Sequence, residues 1–276
     1  MKIWISVDME GISGIVDRDQ VMPDGGRYER GRRFLMGDVQ VVLDQLEKDS
    51  AVDQIVVNDS HDGMVNVLWD ELPHGVELIS GGGKPLSMNE GMLGADAAFF
   101  IGYHAMAGTS GAIWDHTYAS NSIYSVKING RLVGETGINA AVAGHYGVPV
   151  ALVTGDDKVA QEASALLPGV QVAVVKEGIN RRAALLKSRE KTTVLLREAV
   201  DRALTAVRTH EAPVWRIEAP VSLEVAFLNS DMADRALYCP GTKRIDGRSV
   251  GAQFTDMFEA FRGFYTWMAL ASQSAW

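Results

Sequence analysis

The sequence predicts an α/β protein with a largely parallel sheet flanked by helices, and with a smaller C-terminal α+β lobe. Short apolar, β-prone segments alternate with helical periodicity over most of the chain, as in βαβ units whose strands run parallel. After Pro213 the pattern changes, because alternating apolar residues replace the continuous apolar runs. We therefore expect one α/β lobe from residue 1 to 210 and a second lobe from 211 to 276.

The first βαβ unit lies at the start of the chain. Residues 3–7 are apolar and β-prone, and they lead directly into Asp8-Met9-Glu10-Gly11. Apolar positions recur every three or four residues across 32–48, which predicts an amphipathic helix. Residues 54–58 then predict a buried strand that ends in Asp59-Ser60-His61. The order strand, helix, strand implies parallel strands joined by a right-handed crossover.

The same alternation continues along the chain. Asn129-Gly130 separates two β-prone runs, which is the strongest short signal for a hairpin. After the boundary near residue 210, residues 214–228 have a β-like pattern. The remaining strands are predicted at 76–79, 97–103, 150–154 and 170–175, and the remaining helices at 135–145, 158–167, 189–208 and 256–272.

Composition excludes several classes of protein. The 276-residue chain has a formal net charge of −9 and no long basic run, which argues against nucleic-acid binding. Its single cysteine, Cys239, excludes an internal disulfide and a zinc site built from several thiolates. No apolar run reaches the roughly 20 residues of a membrane span, and acidic residues near the N-terminus interrupt any signal-peptide core. We expect a cytoplasmic protein with neither a nucleic-acid nor a membrane partner.

Two carboxylates follow the first predicted strand. Because side chains alternate with period two along a strand, Asp8 and Glu10 project to the same side. Carboxylates placed in this way repel each other unless a cation or a proton lies between them. In open α/β sheets, ligands bind outside the carboxyl ends of the strands. The motif therefore indicates a divalent metal, and an acidic strand end in a solvated turn is the alternative.

Other polar residues follow further β segments. His61 and His104 each follow a predicted strand, and Glu135 follows the hairpin. Imidazole and carboxylate ligands without thiolates suit Zn²⁺, Mn²⁺ or Fe²⁺, and these residues suffice for two metals if Asp8 bridges them. Singly, each has a structural explanation. His61 could belong to a capped turn, His104 could be a packed core histidine, and Glu135 could interact with a helix dipole.

A further histidine is a candidate for proton transfer. His116 lies in a loop that begins at Gly111, and a loop histidine is a reasonable general acid or base. The three other histidines rank lower, because they fall in a polar turn, at a helix C-terminus and in a linker. They are His74, His145 and His210.

Four short segments carry a family resemblance when they are taken together. They are Ser6-Val7-Asp8-Met9-Glu10-Gly11, Asn58-Asp59-Ser60-His61, Gly102-Tyr103-His104-Ala105 and Gly134-Glu135. In this combination the chain resembles the zinc-dependent D-aminopeptidases of the dipeptide-transport operon, the DppA-type metallopeptidases. The similarity extends over most of the chain and includes Val174-Val175-Lys176.

The resemblance implies a dinuclear metallopeptidase that removes the N-terminal residue of short peptides or amino acid amides, with a preference for D-amino acids. It implies two Zn²⁺ per chain, with Mn²⁺ as an alternative, and it assigns His116 as the catalytic histidine. It also implies a homo-oligomer of stacked pentameric rings, a decamer, whose central chamber contains the active sites. The metal ligands carried over from the family are Asp8, Glu10, His61, His104 and Glu135.

Several alternatives stay open. The same ligands could serve another dinuclear hydrolase, either an amidase or a phosphoesterase, or an aminopeptidase specific for L-amino acids. A phosphoesterase should present Arg or Lys beside the metals, and Lys84 and Lys176 are the candidates near the predicted edge. Glu10 or Asp156 could handle the proton in place of His116. A ring protein that binds metal or dipeptides without turnover is the non-enzymatic alternative.

Overall fold

The computed structural model describes residues 1–273. Its strands and helices alternate as the sequence predicts, and two sheets organise the chain. The strands are β1 (Lys2–Val7), β2 (Gln54–Asp59), β3 (Val76–Ile79), β4 (Ala97–Tyr103), β5 (Ile123–Ile128), β6 (Arg131–Val133), β7 (Val150–Asp156), β8 (Gln171–Asn180), β9 (Ala183–Leu186), β10 (Val221–Phe227), β11 (Lys243–Arg244) and β12 (Ser249–Phe254). The helices are α1 (Arg18–Val21), α2 (Tyr28–Leu46), α3 (Glu135–His145), α4 (Asp157–Leu166), α5 (Arg189–Arg208), α6 (Ser230–Ala236) and α7 (Met257–Ala271), with short 3-10 turns at Trp69–Glu71 and Ser87–Asn89.

The larger sheet has seven strands in the order β3-β2-β1-β4-β7-β8-β9, and all its neighbours are parallel except β8 and β9. Alternate residues of β1 enter two different cores. Ile3 and Ile5 pack with α2 and α5, whereas Trp4 packs on the opposite face with α3 and α7. This arrangement confirms the predicted fold class of a largely parallel sheet flanked by helices.

The smaller sheet is antiparallel, with the order β11-β12-β10-β5-β6. Two of its strands, β5 and β6, form the hairpin predicted around Asn129-Gly130, and the other three follow residue 210. The second sheet thus takes strands from both sides of the expected lobe boundary, and the division into 1–210 and 211–276 stays a prediction. None of the helices in residues 1–273 is long and apolar enough to cross a membrane.

Most predicted elements form close to their expected bounds. Helices α3 and α5 and strand β4 begin and end where the sequence pattern places them. Helix α2 begins four residues early, at Tyr28, and the β-like pattern of 214–228 yields a strand only over β10. Helix α6 and strand β12 were not anticipated, because both are short and are held by contacts with α7 that are remote in sequence.

The carboxyl ends of three central strands lie at one level. Val7 of β1 is in register with Asp59 of β2 and with Ile101 of β4. The chain after β1 then passes close to β4, because Gly11 N donates to the carbonyl oxygen of Gly102 at 2.7 Å. A Cβ at position 11 would overlap the carbonyl oxygen of Tyr103, so this crossing requires glycine. The residues that follow the three strands therefore meet at one edge of the sheet.

Candidate metal centre

Six of the predicted site residues meet at this edge. Five of them, Asp8, Glu10, His61, His104 and Glu135, are buried, and the side chain of His116 is 15% exposed. By contrast, the three histidines that ranked lower are all exposed: His74, His145 and His210. Burial of carboxylates is costly unless they are paired with positive charge, so the cluster needs a compensating cation or bound protons.

Asp8 lies at the centre of the cluster, with one carboxylate oxygen directed to each side. Its Oδ1 is 3.1 Å from Nδ1 of His61, and its Oδ2 is 3.5 Å from Nε2 of His104. The same Nδ1 of His61 is 3.1 Å from Oε2 of Glu10. Asp8 therefore lies between two histidines, with a different oxygen close to each ring.

Glu135 completes the other side of the cluster. It is the first residue of α3, and its Oε1 is 3.2 Å from Nε2 of His104 and 3.6 Å from Nε2 of His116. The rings of the two histidines stack, with centroids 4.0 Å apart. The backbone N–H of Tyr118 donates to Oε1 of Glu135 at 2.6 Å and fixes the carboxylate.

Each of the three histidines is oriented from behind by a backbone carbonyl. A carbonyl only accepts, so the ring nitrogen facing it carries the hydrogen, and in the neutral ring the other nitrogen turns its lone pair toward the cluster. Such an arrangement is typical of histidines that bind metal. The pairs are Nε2 of His61 with Val21 O (2.8 Å), Nδ1 of His104 with Ala105 O (3.0 Å) and Nδ1 of His116 with Trp114 O (2.7 Å).

The ionisation of the cluster reflects its burial and crowding. Burial, together with the charge of Glu10, raises the pKa of Asp8 to about 7. Burial also opposes ionisation of Glu10, but the charge of His61 outweighs it and holds the pKa of Glu10 well below its usual range. Burial disfavours the charged forms of His61 and His104, yet the charges of Glu10 and Glu135 respectively outweigh it and raise the pKa of both rings. Positive charge beside the buried carboxylates is therefore needed to keep them ionised.

The donor set fits a metal. Three buried atoms, Oδ2 of Asp8, Oε2 of Glu10 and Nε2 of His104, lie close to one another or to His61 but make no hydrogen bond of acceptable geometry within residues 1–273. The cluster contains two triplets of possible ligand atoms. Within each triplet the atoms lie within 4.8 Å of one another, and both triplets include His104. One triplet adds Asp8 and Glu10, and the other adds His116 and Glu135. Oxygen and imidazole donors without thiolate suit catalytic Zn²⁺. The second triplet gives His116 a possible place among the ligands, which the sequence did not suggest.

A cavity of about 500 Å³ opens onto the cluster. Asp8, Glu10 and Glu135 contribute to its polar end, together with His61 and His116. Its apolar wall comes from several parts of the chain, including α7, and is formed by Met22, Met64, Met88, Trp114, Tyr118, Tyr265 and Met268. The cavity therefore offers a polar end and an apolar wall to one ligand.

Three charged residues considered from the sequence are not part of this cavity. Nζ of Lys84 donates to Oδ1 of Asn58 at 2.6 Å, and burial lowers the pKa of this lysine to about 8. Nζ of Lys176 donates to three backbone carbonyls. The carboxylate of Asp156 accepts from Ile113 N and from the first turn of α4. All three groups are thus committed to holding the chain, and none is free to contact a ligand.

Some residues that support the site carried no clear sequence signal. The hydroxyl of Tyr103 bonds to Ser6 Oγ at 2.7 Å and accepts from Nδ2 of Asn139 at 2.9 Å. The hydroxyl of Tyr118 donates to Oδ1 of the same asparagine. This network links β1, β4 and α3 behind the cluster. Its members lie in apolar or loop segments whose one-dimensional pattern indicates only packing.

Comparison with known proteins agrees with the geometry. The sequence matches the peptidase family M55, described as D-aminopeptidase, over residues 1–266. The D-aminopeptidase of Bacillus subtilis (strain 168) is 39% identical over 281 aligned positions, covering 100% of this chain and 99% of the relative. A solved structure, the Zn-dependent D-aminopeptidase DppA from Bacillus subtilis, a self-compartmentalizing protease, superposes with a TM-score of 0.95 at 37% identity, covering 100% of both chains. The chain therefore belongs to the M55 family of D-aminopeptidases.

Proposed function

We propose that this protein is a zinc-dependent aminopeptidase that removes a D-amino acid from the N-terminus of short peptides or amino acid amides. The observation that carries the proposal is the buried cluster of carboxylates and histidines, in which three polar atoms make no hydrogen bond of acceptable geometry within residues 1–273. Family membership supports the reaction class. The names of both relatives support D-stereochemistry, and the name of the solved structure supports zinc.

We assign two Zn²⁺ to the cluster. Asp8 would contribute to holding both ions, since its two oxygens are directed to His61 and His104. Glu10 and His61 would hold one ion, and Glu135 and His104 would hold the other. Bound Zn²⁺ lowers the pKa of a coordinated water toward neutrality and polarises a carbonyl group. The chain's own contribution is to hold these ligands in fixed orientation, through the carbonyl groups behind the histidines.

His116 is the proposed catalytic histidine. Its Nδ1 donates to the carbonyl oxygen of Trp114, so Nε2 is the atom available to take or give a proton. Burial and the nearby charge of His104 lower the pKa of His116, so the ring is neutral near pH 7. A neutral imidazole at the mouth of the cluster can take a proton from the attacking water at Nε2 and then give it to the leaving amine. Asp156 is a poor substitute, because its oxygens are already occupied.

The cavity fits a short peptide in size and character. Its volume of about 500 Å³ lies within the range typical of small-molecule sites. The metal centre at its polar end would bind the free α-amine of a substrate in its neutral form, and that contact would restrict cleavage to the N-terminal residue. The apolar wall that includes Met88 and Tyr265 would accommodate the side chain.

A phosphoesterase is less well supported by the same site. The phosphate oxygens of its substrate need Arg or Lys beside the metals. Lys84 and Lys176 donate to Asn58 and to main-chain carbonyls, and neither lines the cavity. Arg18 does line the cavity, but its guanidinium group already pairs with Asp24 at 3.1 Å.

We also propose that the chain assembles into a homo-oligomer, a ring-built decamer, in the cytoplasm. The related DppA is described as a self-compartmentalizing protease, and the two chains superpose over their full lengths. Native mass spectrometry of the purified protein tests the number of subunits. A monomer under conditions of full activity would contradict the assembly without affecting the proposed chemistry.

The proposed activity is tested with matched D- and L-amino acid amides and dipeptides, after chelation and again after addition of Zn²⁺ or Mn²⁺. We expect cleavage of D-substrates that is lost with chelator and is restored by metal. His61→Ala should abolish both zinc binding and turnover. It removes a proposed metal ligand, the imidazole whose Nδ1 lies 3.1 Å from both Asp8 and Glu10.

The matched control is His145→Ala, which removes an exposed imidazole at the end of α3 and should leave turnover unchanged. Metal-dependent cleavage of L-substrates alone would keep the chemistry and change the specificity. Two bound metals without turnover of any peptide or amide would reject the aminopeptidase and favour a binding protein.

A further inference from the structure

One fully buried charge has no place in the proposed chemistry. Lys176 lies on β8, and its side chain is among the largest that are wholly inaccessible to solvent. Its ammonium group donates to the backbone carbonyls of Glu10 at 2.5 Å, Ile12 at 2.9 Å and Ile15 at 2.7 Å. All three hydrogens of the ammonium group therefore have an acceptor.

The three acceptors belong to one irregular segment, residues 10–15, which we call the Glu10 loop. The loop follows β1 and contains turns but no strand or helix. Within residues 1–273, Lys176 is the only donor to the carbonyls of Glu10 and Ile15, whereas the carbonyl of Ile12 also accepts from Ile15 N. Buried backbone carbonyls are rarely left without a donor. The ammonium group thus replaces the hydrogen bonds that regular secondary structure would supply.

The Glu10 loop has few other polar anchors. Gly11 N donates to Gly102 O at 2.7 Å, and Ser13 N donates to Oδ2 of Asp38 on α2 at 2.8 Å. Both of these anchors hold backbone N–H groups. Lys176 holds three carbonyl groups of the loop, and Gln20 Nε2 holds a fourth, that of Gly14, at 3.0 Å. The peptide unit that begins at the Glu10 carbonyl is therefore fixed from both sides, by Lys176 at the oxygen and by Gly102 at the following nitrogen.

We propose that Lys176 is a positioning residue for the metal centre, because its ammonium group fixes the Glu10 loop and so directs the Glu10 carboxylate toward Asp8 and His61. This inference rests on the proposed function for its catalytic consequence, although the loop contacts themselves do not depend on it. Residues that orient metal ligands from behind commonly matter nearly as much as the ligands.

The variant Lys176→Met tests the proposal, because methionine keeps an unbranched side chain and removes all three donors. We expect the zinc affinity, measured by competition with a chromophoric chelator, to fall about 10–100-fold. We expect kcat to fall and KM to change little, because the substrate cavity does not include Lys176. In the metal-free protein, backbone amides of the Glu10 loop should exchange hydrogen at least about tenfold faster.

The matched control is Val175→Ala on the same strand. Val175 is buried in the core that α2 and α5 cover, so its truncation loosens the neighbouring structure without removing a polar group. This control should leave the zinc affinity and the exchange of the Glu10 loop close to wild type. Equal losses in the two variants would show that Lys176 acts only through general stability and would overturn the proposal.

Wild-type zinc affinity and wild-type exchange in Lys176→Met would also overturn it. If the wild-type protein itself bound no zinc and cleaved no peptide, the proposed function would fail, and the hydrogen-exchange comparison would still decide whether Lys176 fixes the loop. Should Lys176→Met not fold, Lys176→Ala refolded with propylammonium chloride supplies the missing ammonium group. Slower loop exchange with propylammonium than with 1-propanol supports the proposal, and identical exchange rejects it.

Discussion

His116 differs from its neighbours in the cluster by its exposure and its ionisation. Its ring stacks on His104 and its Nε2 faces Glu135, yet part of the side chain reaches the cavity. This position suits either of two roles for His116, a metal ligand or a proton carrier. The two roles differ in what happens to the metal when the ring is removed, so one substitution can separate them.

We expect His116→Ala to keep both zinc ions and to lose about 10²–10⁴-fold in kcat, which is the usual contribution of a positioned acid or base. The reason is that the proposed ligands are complete without it. Zinc content by elemental analysis and steady-state kinetics on a D-amino acid amide provide the test. His74→Ala, at an exposed position, is the control. Loss of one zinc from His116→Ala would make this residue a ligand instead.

A second residue with an unusual ionisation lies behind the cluster. Glu162 on α4 is half-buried, and its Oε2 accepts from Met106 N at 2.8 Å, two residues after His104. Burial raises the pKa of Glu162 to about 7. Because the folded state binds this proton more tightly than the unfolded state, the stabilising contribution of the proton is complete below the ordinary value of 4.5 and is lost as the pH rises through 7.

Glu162→Gln should remove this dependence, since the amide keeps an acceptor for Met106 and cannot ionise. We expect the free energy of unfolding of the variant, relative to wild type, to increase between pH 4.5 and 8 by no more than about 3 kcal/mol. Urea titrations at several pH values measure it. The control Glu198→Gln changes an exposed residue of α5 and should give no such trend. Parallel pH curves for wild type and Glu162→Gln would contradict the assignment.

Residue patterns could predict the ligands but not the groups that hold them. Asp8, Glu10, His61 and His104 are visible in the sequence because polar residues directly follow apolar strands. Their convergence requires only that parallel strands end at one edge. Lys176 and Glu162 were not predictable in the same way, because each acts on backbone atoms of a segment that is distant along the chain. Their roles depend on tertiary contacts that periodicity does not encode.

At the scale of elements, the site depends on how closely β1 and β4 approach each other beyond their paired region. The turn after β1 crosses the end of β4, where Gly11 N donates to Gly102 O. The sequence could predict Gly11 as a turn residue. It could not predict which strand this turn would contact. The order of strands in the sheet, which places β4 beside β1, is a tertiary property.

Gly11→Ala should separate the two strand ends, because the added Cβ would overlap the carbonyl oxygen of Tyr103. We expect a loss of about 1–3 kcal/mol in the free energy of unfolding, as is usual for overpacking, together with weaker zinc binding. Gly247→Ala is the matched control, since a Cβ there would meet no atom within 4 Å. Thermal unfolding and chelator competition measure the two effects. Equal behaviour of the two variants would show that the crossing tolerates a side chain.

Periodicity predicted the long helix α5 but not the short helix α6. Helix α5 was predictable because twenty residues keep one apolar face, which packs beside α2. Helix α6 has only seven residues, and its formation depends on its contacts with α7. The second sheet posed a similar difficulty. Its strands β5 and β10 are paired in space, but strands β6 to β9 and helices α3 to α5 lie between them in sequence.

At the scale of the whole molecule, the cluster joins parts of the chain that belong to both sheets. Asp8, His61 and His104 follow three strands of the parallel sheet. Glu135 begins α3, directly after β6 of the antiparallel sheet. Metal ions held by these four residues would therefore tie the two sheets together at the site. Metal binding and global stability should be coupled for this reason.

Removal of zinc is expected to lower the melting temperature by about 10 °C. A ligand present at a thousand times its Kd stabilises the folded state by about 4 kcal/mol, and 1 kcal/mol corresponds to about 2–4 °C for a chain of roughly this size. Calorimetry of the holoenzyme before and after chelation, with zinc content verified by elemental analysis, measures the shift. The variant His61→Ala should show a much smaller shift, because its site is already impaired, whereas the exposed substitution His145→Ala should shift as the wild type does. A melting temperature that chelation leaves unchanged, in protein shown to have lost its zinc, would mean that the two sheets hold together without the metal and that the cluster serves chemistry alone.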